Sequence, residues 1–300
     1  MTRPEVSVAI ITYNHRRYIA EAIESVLAQE TRFPVRIHIG DDHSTDGTRE
    51  ILYHYQERFP ERIVLNLQPE HPPGIPGRVN NITNLQSCDG DYIALLDGDD
   101  YWTDPRKLQT QVDFLEAHPG HAGSAHDATI VGDAVSGSTV AELSPQGRPD
   151  AAIDLGTEDI LDRRLYQTST FLFRRKALTL PPWFSKVYSA DYALFLLASQ
   201  HGPIRFDPAA RSAYRVHGTS VMAGSGDARW ARQFVVDAPI FFEAFPGSAT
   251  FRQRMILLRA QRIAAATDGR WIAAFICGAR LLASDPRALL RLVRERLGRG

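Results

Sequence analysis

The sequence predicts an α/β fold in which a mostly parallel central sheet is flanked by helices, with a helical extension after it. Two observations support this class. Apolar runs of strand length alternate with helical patterns through residues 1–118, and the pattern from about residue 227 onward is helical. Strands that alternate with helices form right-handed crossovers, which build parallel sheets covered on both faces.

The predicted elements follow one another in a regular order. Each strand is a run of apolar and β-branched residues, and each helix places apolar residues three or four positions apart. Strands are expected at 6–11, 35–39, 63–67 and 92–96, and helices at 18–29, 48–59 and 79–85, with a fourth helix beginning at Pro105. A proline is allowed there because the first N–H groups of a helix have no helical partner.

The order is less regular after residue 120. Residues 132–150 are rich in glycine, serine and proline, which predicts a long loop or a hairpin insertion. A strand is predicted at 168–173, a helix from Ser189, and short strands at 204–206 and 212–216.

The last fifteen residues, 286–300, have an amphipathic helical pattern in which apolar residues share a face among five arginines. Such a helix fits an anionic membrane surface. Docking on the rest of the chain, or on a second subunit in a homodimer, needs the same apolar face. The sequence leaves these alternatives open.

Composition and charge narrow the class of protein. The 300 residues carry a net charge of −1, so no overall basic character indicates a nucleic-acid partner. Cys88 and Cys277 lack CxxC spacing, which fits free thiols in a reducing compartment. The N-terminus enters a strand pattern directly, and the longest apolar segment near the C-terminus is too short to cross a bilayer. We therefore expect a cytoplasmic protein, in contact with a membrane only peripherally.

Four carboxylates follow the fourth predicted strand. They are Asp97, Asp99, Asp100 and Asp104. Ligands of open α/β sheets bind beyond the carboxyl ends of the strands, where these acids emerge. Crowded carboxylates repel one another unless a cation lies between them, and Mg²⁺ and Mn²⁺ prefer oxygen ligands. The alternative is an acidic, solvated turn.

The loop after the second predicted strand is also acidic. Asp41 and Asp42 precede any helix cap, so we expect them to accept hydrogen bonds from a ligand. Ser44 and Asp46 are instead explained by capping of the next helix.

Two other predicted loops offer polar groups at the same edge. After the first strand, Thr12-Tyr13-Asn14 provides a ring on which a base can stack, although an ordinary turn explains these residues almost as well. In the third loop, the planar guanidinium of Arg78 is suited to phosphate.

These segments carry a resemblance to a known family. SVAIITYNHRRYIAEAIESVLAQ, DDHSTDGT and GDYIALLDGDDYW look like the motifs of family 2 glycosyltransferases, in the same order, and the resemblance extends over residues 5–222. It implies the GT-A fold, a Rossmann-like sheet that binds nucleotide sugars. It also implies a catalytic domain at 1–222, divided into a nucleotide-sugar-binding half at 1–118 and an acceptor-binding half at 119–222, with a helical region at 223–300.

The resemblance also implies roles for individual residues. Asp97-Gly98-Asp99 matches the family's DxD motif, in which the first acid contacts the ribose and Asp99 binds the metal that bridges the diphosphate. By the same resemblance, either Asp41 or Asp42 contacts the base.

Asp191 is the expected catalytic base. An inverting transfer needs a group that takes the proton of the acceptor hydroxyl, and Asp191 matches the acid that the family uses. The alternative is an acid that interacts only with the helix dipole. Two positions depart from the family, because His43 stands where a glycine is usual and Ala190 where many members carry a glutamate.

Further residues near these motifs are candidates. His217 follows a short strand, where the family often has a histidine that reaches the metal or the diphosphate, and Arg215 can point to the same pocket. His126 can line the acceptor site, although a buried, hydrogen-bonded histidine is the simpler explanation. Tyr101 and Trp102 are expected to pack beside the acids.

The sequence therefore predicts a metal-dependent, inverting glycosyltransferase with Mg²⁺ or Mn²⁺ as cofactor. The donor is a nucleoside diphosphate sugar, with UDP or dTDP expected, and the acceptor is a hydroxyl of a glycan, lipid-linked or other molecule, as in polysaccharide, glycolipid or glycoconjugate synthesis. One alternative is a degenerate module that binds a sugar nucleotide or glycan without turnover. Another is a nucleotidyltransferase, although ITYNHRRYI has no glycine where such an enzyme carries a glycine-rich loop.

Overall fold

The structure is a computed structural model, and it describes residues 5–132, 137–142, 147–162, 165–217, 226–246 and 251–284. The chain divides into two compact units. The first comprises Met1–Lys186 and Ala190–Ser220, and the second comprises Val187–Ser189 and Val221–Gly300.

The described part of the first unit contains one sheet of nine strands. They are β1 (Val6–Thr12), β2 (Val35–Asp41), β3 (Ile63–Leu67), β4 (Tyr92–Asp97), β5 (Tyr101–Trp102), β6 (Gly123–Gly132), β7 (Ile153–Leu155), β8 (Leu172–Arg174) and β9 (Ile204–Val216). Their order is β3-β2-β1-β4-β8-β6-β9-β5, with β7 paired to β9. The first four strands are parallel to one another, β8 is antiparallel to β4 and β6, and β6 and β9 are parallel. The carboxyl ends of β1, β2 and β4 therefore meet at one edge.

Helices cover this sheet. They are α1 (Ile19–Leu27), α2 (Thr48–Arg58), α3 (Arg78–Ser87), α4 (Lys107–Ala117), α5 (Thr157–Asp162) and α6 (Ala190–Ser199). The main hydrophobic core joins apolar residues of β1, β2 and β4 to those of α1, α2 and α4. The predicted alternation of strands and helices is confirmed, and with it the α/β class.

The fourth helix begins two residues later than predicted. It starts at Lys107 rather than at Pro105. A carboxylate oxygen of Asp104 accepts the N–H of Arg106, and the carbonyl oxygen of Asp104 accepts the N–H of Lys107. These bonds close a separate turn, so the proline lies before the helix.

Three predicted strands also have different bounds. Residues 168–170 form a 3₁₀ turn rather than the first half of a strand, because the side chain of Gln167 accepts the N–H of Ser169. The two short strands predicted at 204–206 and 212–216 are one strand, β9, whose pairing with β6 shifts register between them.

Helix α3 is fixed to the sheet by side-chain amides. Asn80 donates to the carbonyl oxygen of Gly40, and Asn84 donates to those of Ile10 and His38. A Cβ at Gly40 would lie 2.6 Å from Oδ1 of Asn80, so only glycine permits this approach. The loop before α3 is thereby held beside the end of β2.

The second unit is helical in its described part, as the sequence predicts. Its helices are α7 (Gly226–Ala244), α8 (Phe251–Thr267) and α9 (Trp271–Ser284). Helix α8 packs against both α7 and α9, and Ala231, Ala260 and Ala264 form a small buried core. The amphipathic pattern at 286–300 lies outside the described residues.

Both cysteines are free thiols, as predicted, with Cys88 buried and Cys277 partly buried. Among the helices that the structure describes, none combines the length and the apolar character needed to span a bilayer.

Candidate active site

An acid turn, Asp97–Asp100, begins where β4 ends and lies against the loop after β1. A Cβ at Gly98 would lie 2.8 Å from Oγ1 of Thr12 and 3.0 Å from Nδ1 of His15. The first distance is shorter than real Cβ contacts and the second is tighter than most of them, so a glycine at this position lets the two segments come this close. Close packing therefore explains why the middle residue of the predicted DxD motif is a glycine.

The carboxylate of Asp99 faces two imidazoles. Nε2 of His217 lies 3.1 Å from its Oδ2, and Nε2 of His15 lies 3.8 Å from the same oxygen. Burial lowers the pKa of His15, against the opposing effect of the Asp99 charge. The structure brings the predicted residues Asp99 and His217 together and adds His15.

Asp97 has two other carboxylates in its surroundings, those of Asp99 and Asp191. Burial and the neighbouring charges of Asp99 and Asp191 raise the pKa of Asp97 to about 8, while a hydrogen bond from the side chain of Thr168 opposes the shift. Asp191 lies in the first turn of α6, which brings it near this group. Three acids from two distant parts of the chain therefore converge, and a positive charge among them would be stabilised.

Asp100 connects the acid turn to β9. Its Oδ1 accepts the N–H of Arg215 at 2.8 Å, and its Oδ2 lies 3.3 Å from Nε2 of Gln167. The Arg215 guanidinium donates to the carbonyl oxygen of Asp99 at 2.9 Å and to Glu21 at 2.7 Å. Arg215 thus lies beside the acids, as predicted, and it holds the turn in place.

Asp104 has partners of its own outside the acid turn. Its Oδ2 lies 3.4 Å from Nε of Arg211, in addition to the bond with Arg106. The prediction that all four acids emerge as one group is therefore wrong for this residue. Trp102 packs as expected, because it is buried and donates its indole N–H to the carbonyl oxygen of Ser169.

Two adjacent acids after β2 have different environments. Asp41 is fully buried, and its Oδ1 accepts the N–H of Ser44 at 3.0 Å and pairs with Nε of Arg49 at 2.5 Å. Asp42 accepts the N–H of Gly77 at its Oδ2, whereas its Oδ1 is buried without a hydrogen-bond partner. Oδ2 of Asp41 is likewise buried without a hydrogen-bond partner, so the two acids differ in the partners of their other oxygens, an arginine for Asp41 and a backbone N–H for Asp42.

The expected capping of α2 holds for only one of the two residues. Asp46 accepts the first helical N–H, from Thr48, at 3.0 Å. Ser44 does not cap the helix. Its hydroxyl accepts the N–H of Asn14 at 2.8 Å, and Oδ1 of Asn14 accepts the N–H of Thr45. Ser44 and Asn14 therefore connect the loops after β1 and β2.

Three rings form a cluster that contacts Asp42 through His71. The ring of His71 lies 5.0 Å from that of Tyr13 and 5.3 Å from that of His43, and its Nδ1 lies 3.6 Å from Oδ2 of Asp42. His43 has a φ of 64°, in the left-handed region. This conformation favours glycine, the usual residue of the family at this position, and costs a histidine energy.

Two other candidates lie in different surroundings. Arg78 is the first residue of α3, and its buried guanidinium lies 5.2 Å from the centroid of the Phe184 ring. His126 is buried in β6, where its Nδ1 donates to the carbonyl oxygen of Asp127. Burial lowers its pKa well below the usual value. The simpler explanation of His126 is therefore the one that the structure supports.

Sequence reasoning missed His15, His71 and Gln167. His15 directly follows the polar group Thr12-Tyr13-Asn14 at the end of a strand, a signal that could have identified it. His71 lies in a loop that carries no recognised motif, and Gln167 directly precedes the strand predicted at 168–173. Only their contacts show where they belong.

A divalent cation fits this site with help from a ligand. In the described residues, no group of three or more His, Cys, Asp or Glu side chains is arranged to hold a metal ion. Magnesium needs fewer, because substrate phosphates and water complete its shell. Asp99 and His217, whose Oδ2 and Nε2 lie 3.1 Å apart, are the carboxylate and the imidazole that would hold such an ion.

Comparisons with known proteins agree with this fold. The family model Glycosyl transferase family 2 matches residues 7–178. An uncharacterised protein of Mycobacterium tuberculosis is 33% identical over 215 residues, which are 71% of this chain and 59% of that protein. The chain thus spans about three fifths of the length of this curated relative.

Two solved structures have the same fold. TarS of S. aureus in complex with UDP-GlcNAc has a TM-score of 0.63 at 19% identity, covering 90% of this chain and 79% of that one. The mannosyltransferase PcManGT from Pyrobaculum calidifontis in complex with GDP-Man and Mn²⁺ has a TM-score of 0.59 at 18% identity, covering 100% and 81%. The fold is that of the GT-A glycosyltransferases. The chain belongs to glycosyltransferase family 2.

Proposed function

We propose that the protein is an inverting, metal-dependent glycosyltransferase that uses a UDP- or dTDP-sugar and an acceptor hydroxyl. The observation that carries this proposal is the convergence of Asp97, Asp99 and Asp191 with His217 at the end of β4. Residues 1–118 would bind the donor and residues 119–222 the acceptor. Glycans and lipid-linked hydroxyl compounds are the proposed acceptor class.

Asp99 and His217 are the protein groups that would hold Mg²⁺ or Mn²⁺. Such an ion neutralises the charge that develops on the departing diphosphate. The crowding of acids supports this role, because the negative charges of Asp97 and Asp191 would increase the electrostatic stabilisation of a bound cation. That the neighbour PcManGT was solved with Mn²⁺ also supports it. Thr12 and Gly98 would lie beside the donor, and the ribose would contact Asp97.

Asp191 would take the proton of the acceptor hydroxyl. The hydroxyl oxygen attacks the anomeric carbon on one face while the bond to the diphosphate breaks on the other, so the configuration inverts. The position of Asp191 near Asp97 supports this role, because the acceptor hydroxyl must reach the sugar held there. The missing glutamate at Ala190 leaves Asp191 as the acid of this motif.

The environment of Asp42 supports a uracil or thymine base. Its Oδ2 accepts the N–H of Gly77, and its Oδ1 is buried without a hydrogen-bond partner, as is Oδ2 of the neighbouring Asp41. Uracil and thymine offer a single ring N–H on the corresponding edge, whereas guanine offers a ring N–H and an amino group. Oδ1 of Asp42 would accept this ring N–H of a uracil or thymine, which would satisfy the buried oxygen. The rings of Tyr13, His43 and His71 would flank the base.

Replacement of Asp191 by Asn tests the proposal. General-base catalysis contributes roughly 10²–10⁴-fold, so we expect transfer from a UDP-sugar to fall by that factor while donor affinity is unchanged. Rates with saturating donor and Mn²⁺ measure the first, and calorimetric titration of UDP measures the second.

Glu158→Gln is the matched control, since Glu158 is another acid in the first turn of a helix, α5. If the two variants lost activity equally, Asp191 would act only through the helix dipole. If the wild-type protein bound UDP-sugars but released no nucleotide with or without Mn²⁺, the degenerate-module alternative would be correct.

A further inference from the structure

Helix α9 exposes a row of large apolar side chains. Trp271 is 70% exposed, Ile272 81%, Phe275 77% and Ile276 46%. We call these four residues the α9 face. The other large apolar residues exposed in the described part of the chain are single residues on separate elements, such as Tyr53 and Val236. Contiguous apolar surface of this kind marks an interaction site, whereas scattered residues do not.

The α9 face is separate from the side of the helix that packs in the second unit. At 100° per residue, the four side chains lie within an arc of about 140°. Ala274 is buried outside this arc, and a Cβ at Gly278 would lie 3.6 Å from Cδ of Arg262 in α8. Small residues thus pack α9 against α8, and its large apolar residues face outward, the reverse of a helix that contributes to a core.

Charge is distributed unevenly between the two parts of the sequence. Residues 226–300 contain thirteen arginines, no lysine and six acidic residues, which gives a net charge of +7. Because the whole chain has a net charge of −1, residues 1–225 carry −8. The apolar face therefore belongs to a strongly cationic part of a nearly neutral protein.

We propose that the α9 face is a docking surface for an anionic lipid bilayer. Interfacial helices combine Trp, Phe and aliphatic residues on one face with arginines elsewhere, and they bind by apolar burial and by attraction to anionic lipids. Trp271 is the side chain suited to the headgroup level. A second copy of this chain is a poorer occupant, because two regions of charge +7 would repel each other.

Vesicle sedimentation of the full-length protein tests the proposal. We expect binding to phosphatidylcholine vesicles that contain about one quarter phosphatidylglycerol, weak binding to pure phosphatidylcholine, and weaker binding at high salt. Ile272→Ser with Phe275→Ser should lower the partition coefficient about tenfold or more, because the apolar area that enters the bilayer is lost.

The control variant carries Tyr53→Ser and Val236→Ser, which remove two exposed apolar residues outside the α9 face. It should bind vesicles like the wild type. Equal loss in both double variants, or no vesicle binding by a wild-type protein whose circular dichroism shows it folded, would overturn the proposal. These assays contain no sugar nucleotide, so their result is independent of the proposed transferase activity.

Two readouts separate the bilayer from other occupants. The fluorescence of Trp271 should shift to the blue when anionic vesicles are added, and Trp271→Phe should lose this shift while still sedimenting with them. Light scattering without lipid should give a monomer mass. A larger mass that returns to the monomer in the Ile272→Ser, Phe275→Ser variant would show self-association through the α9 face and would also overturn the proposal.

Discussion

The two acidic loops on either side of β1 have similar sequences and opposite electrostatics. In the loop after β2, Asp41 pairs with Arg49 and Asp46 accepts the N–H of Thr48. In the turn after β4, Asp97 faces other carboxylates, and Asp99 faces imidazoles. Asp41 and Asp46 thus have protein partners for their negative charge, whereas Asp97 and Asp99 lie close enough for their like charges to interact.

The pKa values show the same difference. Burial alone would raise the pKa of Asp46, but hydrogen bonds with Thr48 and from the N–H of Arg16 outweigh it and lower the pKa below the usual value. Burial and like charges raise the pKa of Asp97 to about 8. The partners of a carboxylate, rather than its spacing in the sequence, therefore decide whether it stabilises the fold or serves a ligand.

The largest expected effect is at Asp99. Stabilisation by a bound metal is worth several kcal/mol, so Asp99→Ala should lower the transfer rate about a thousandfold and abolish its response to Mn²⁺. Steady-state rates over a series of Mn²⁺ concentrations measure both. Asp104→Ala is the control, because Asp104 is held in the turn before α4. If both variants lost the same transfer activity, the proposal that Asp99 binds the metal while Asp104 only holds the turn would be wrong.

Asp41 should affect stability more than any other acid of the β2 loop. Removing one partner of a buried ion pair costs about 3 kcal/mol, so Asp41→Asn should lower the free energy of unfolding by that amount. Urea denaturation followed by circular dichroism measures it. Asp113→Asn is the matched control, since Asp113 pairs with Arg32 at the surface, where the side chains are 49% and 77% exposed. That variant should lose less than about 1 kcal/mol.

Asp42 should determine which nucleotide binds. A hydrogen bond to a charged group is worth roughly 1.5–3 kcal/mol, so Asp42→Asn should raise the Kd for UDP about tenfold or more and reduce the preference for UDP over GDP. Calorimetric titration with both nucleotides in the presence of Mn²⁺ checks this. Asp46→Asn, in the same loop, should leave the preference unchanged. A wild-type protein that binds GDP more tightly than UDP would refute the base assignment.

The smallest effect concerns Asp46 and depends on pH. Losing its hydrogen bond to the first helical N–H should cost about 1 kcal/mol, so Asp46→Ala lowers the free energy of unfolding at pH 7. Because the folded pKa is below the unfolded value, the contribution is present above the unfolded value and is lost as the pH falls through the folded one. Urea denaturation at several acidic pH values should show the two proteins becoming alike. A constant difference would contradict the assignment.

Local sequence signals predicted where the acid turn begins. Asp97, Gly98 and Asp99 follow a strand whose apolar run is unmistakable, and the strand end places them at the ligand edge. The same reasoning could not tell the environment of Asp41 from that of Asp42. The difference depends on Arg49, which pairs with Asp41, and on Gly77, which donates its N–H to Asp42 from another loop. It also assigned Ser44 to a cap, whereas its partner, Asn14, belongs to another loop.

By itself, the sequence determined the α/β class, the positions of the first four strands along the chain and the loops where acids collect. It could do so because hydrophobic periodicity and turn residues act over short stretches of chain. Only the tertiary structure decided which of those acids are already paired, that His15 and His217 meet at Asp99, and that Asp191 approaches Asp97. The physical reason is that burial and charge act through space, and the groups that meet there come from segments far apart in the chain.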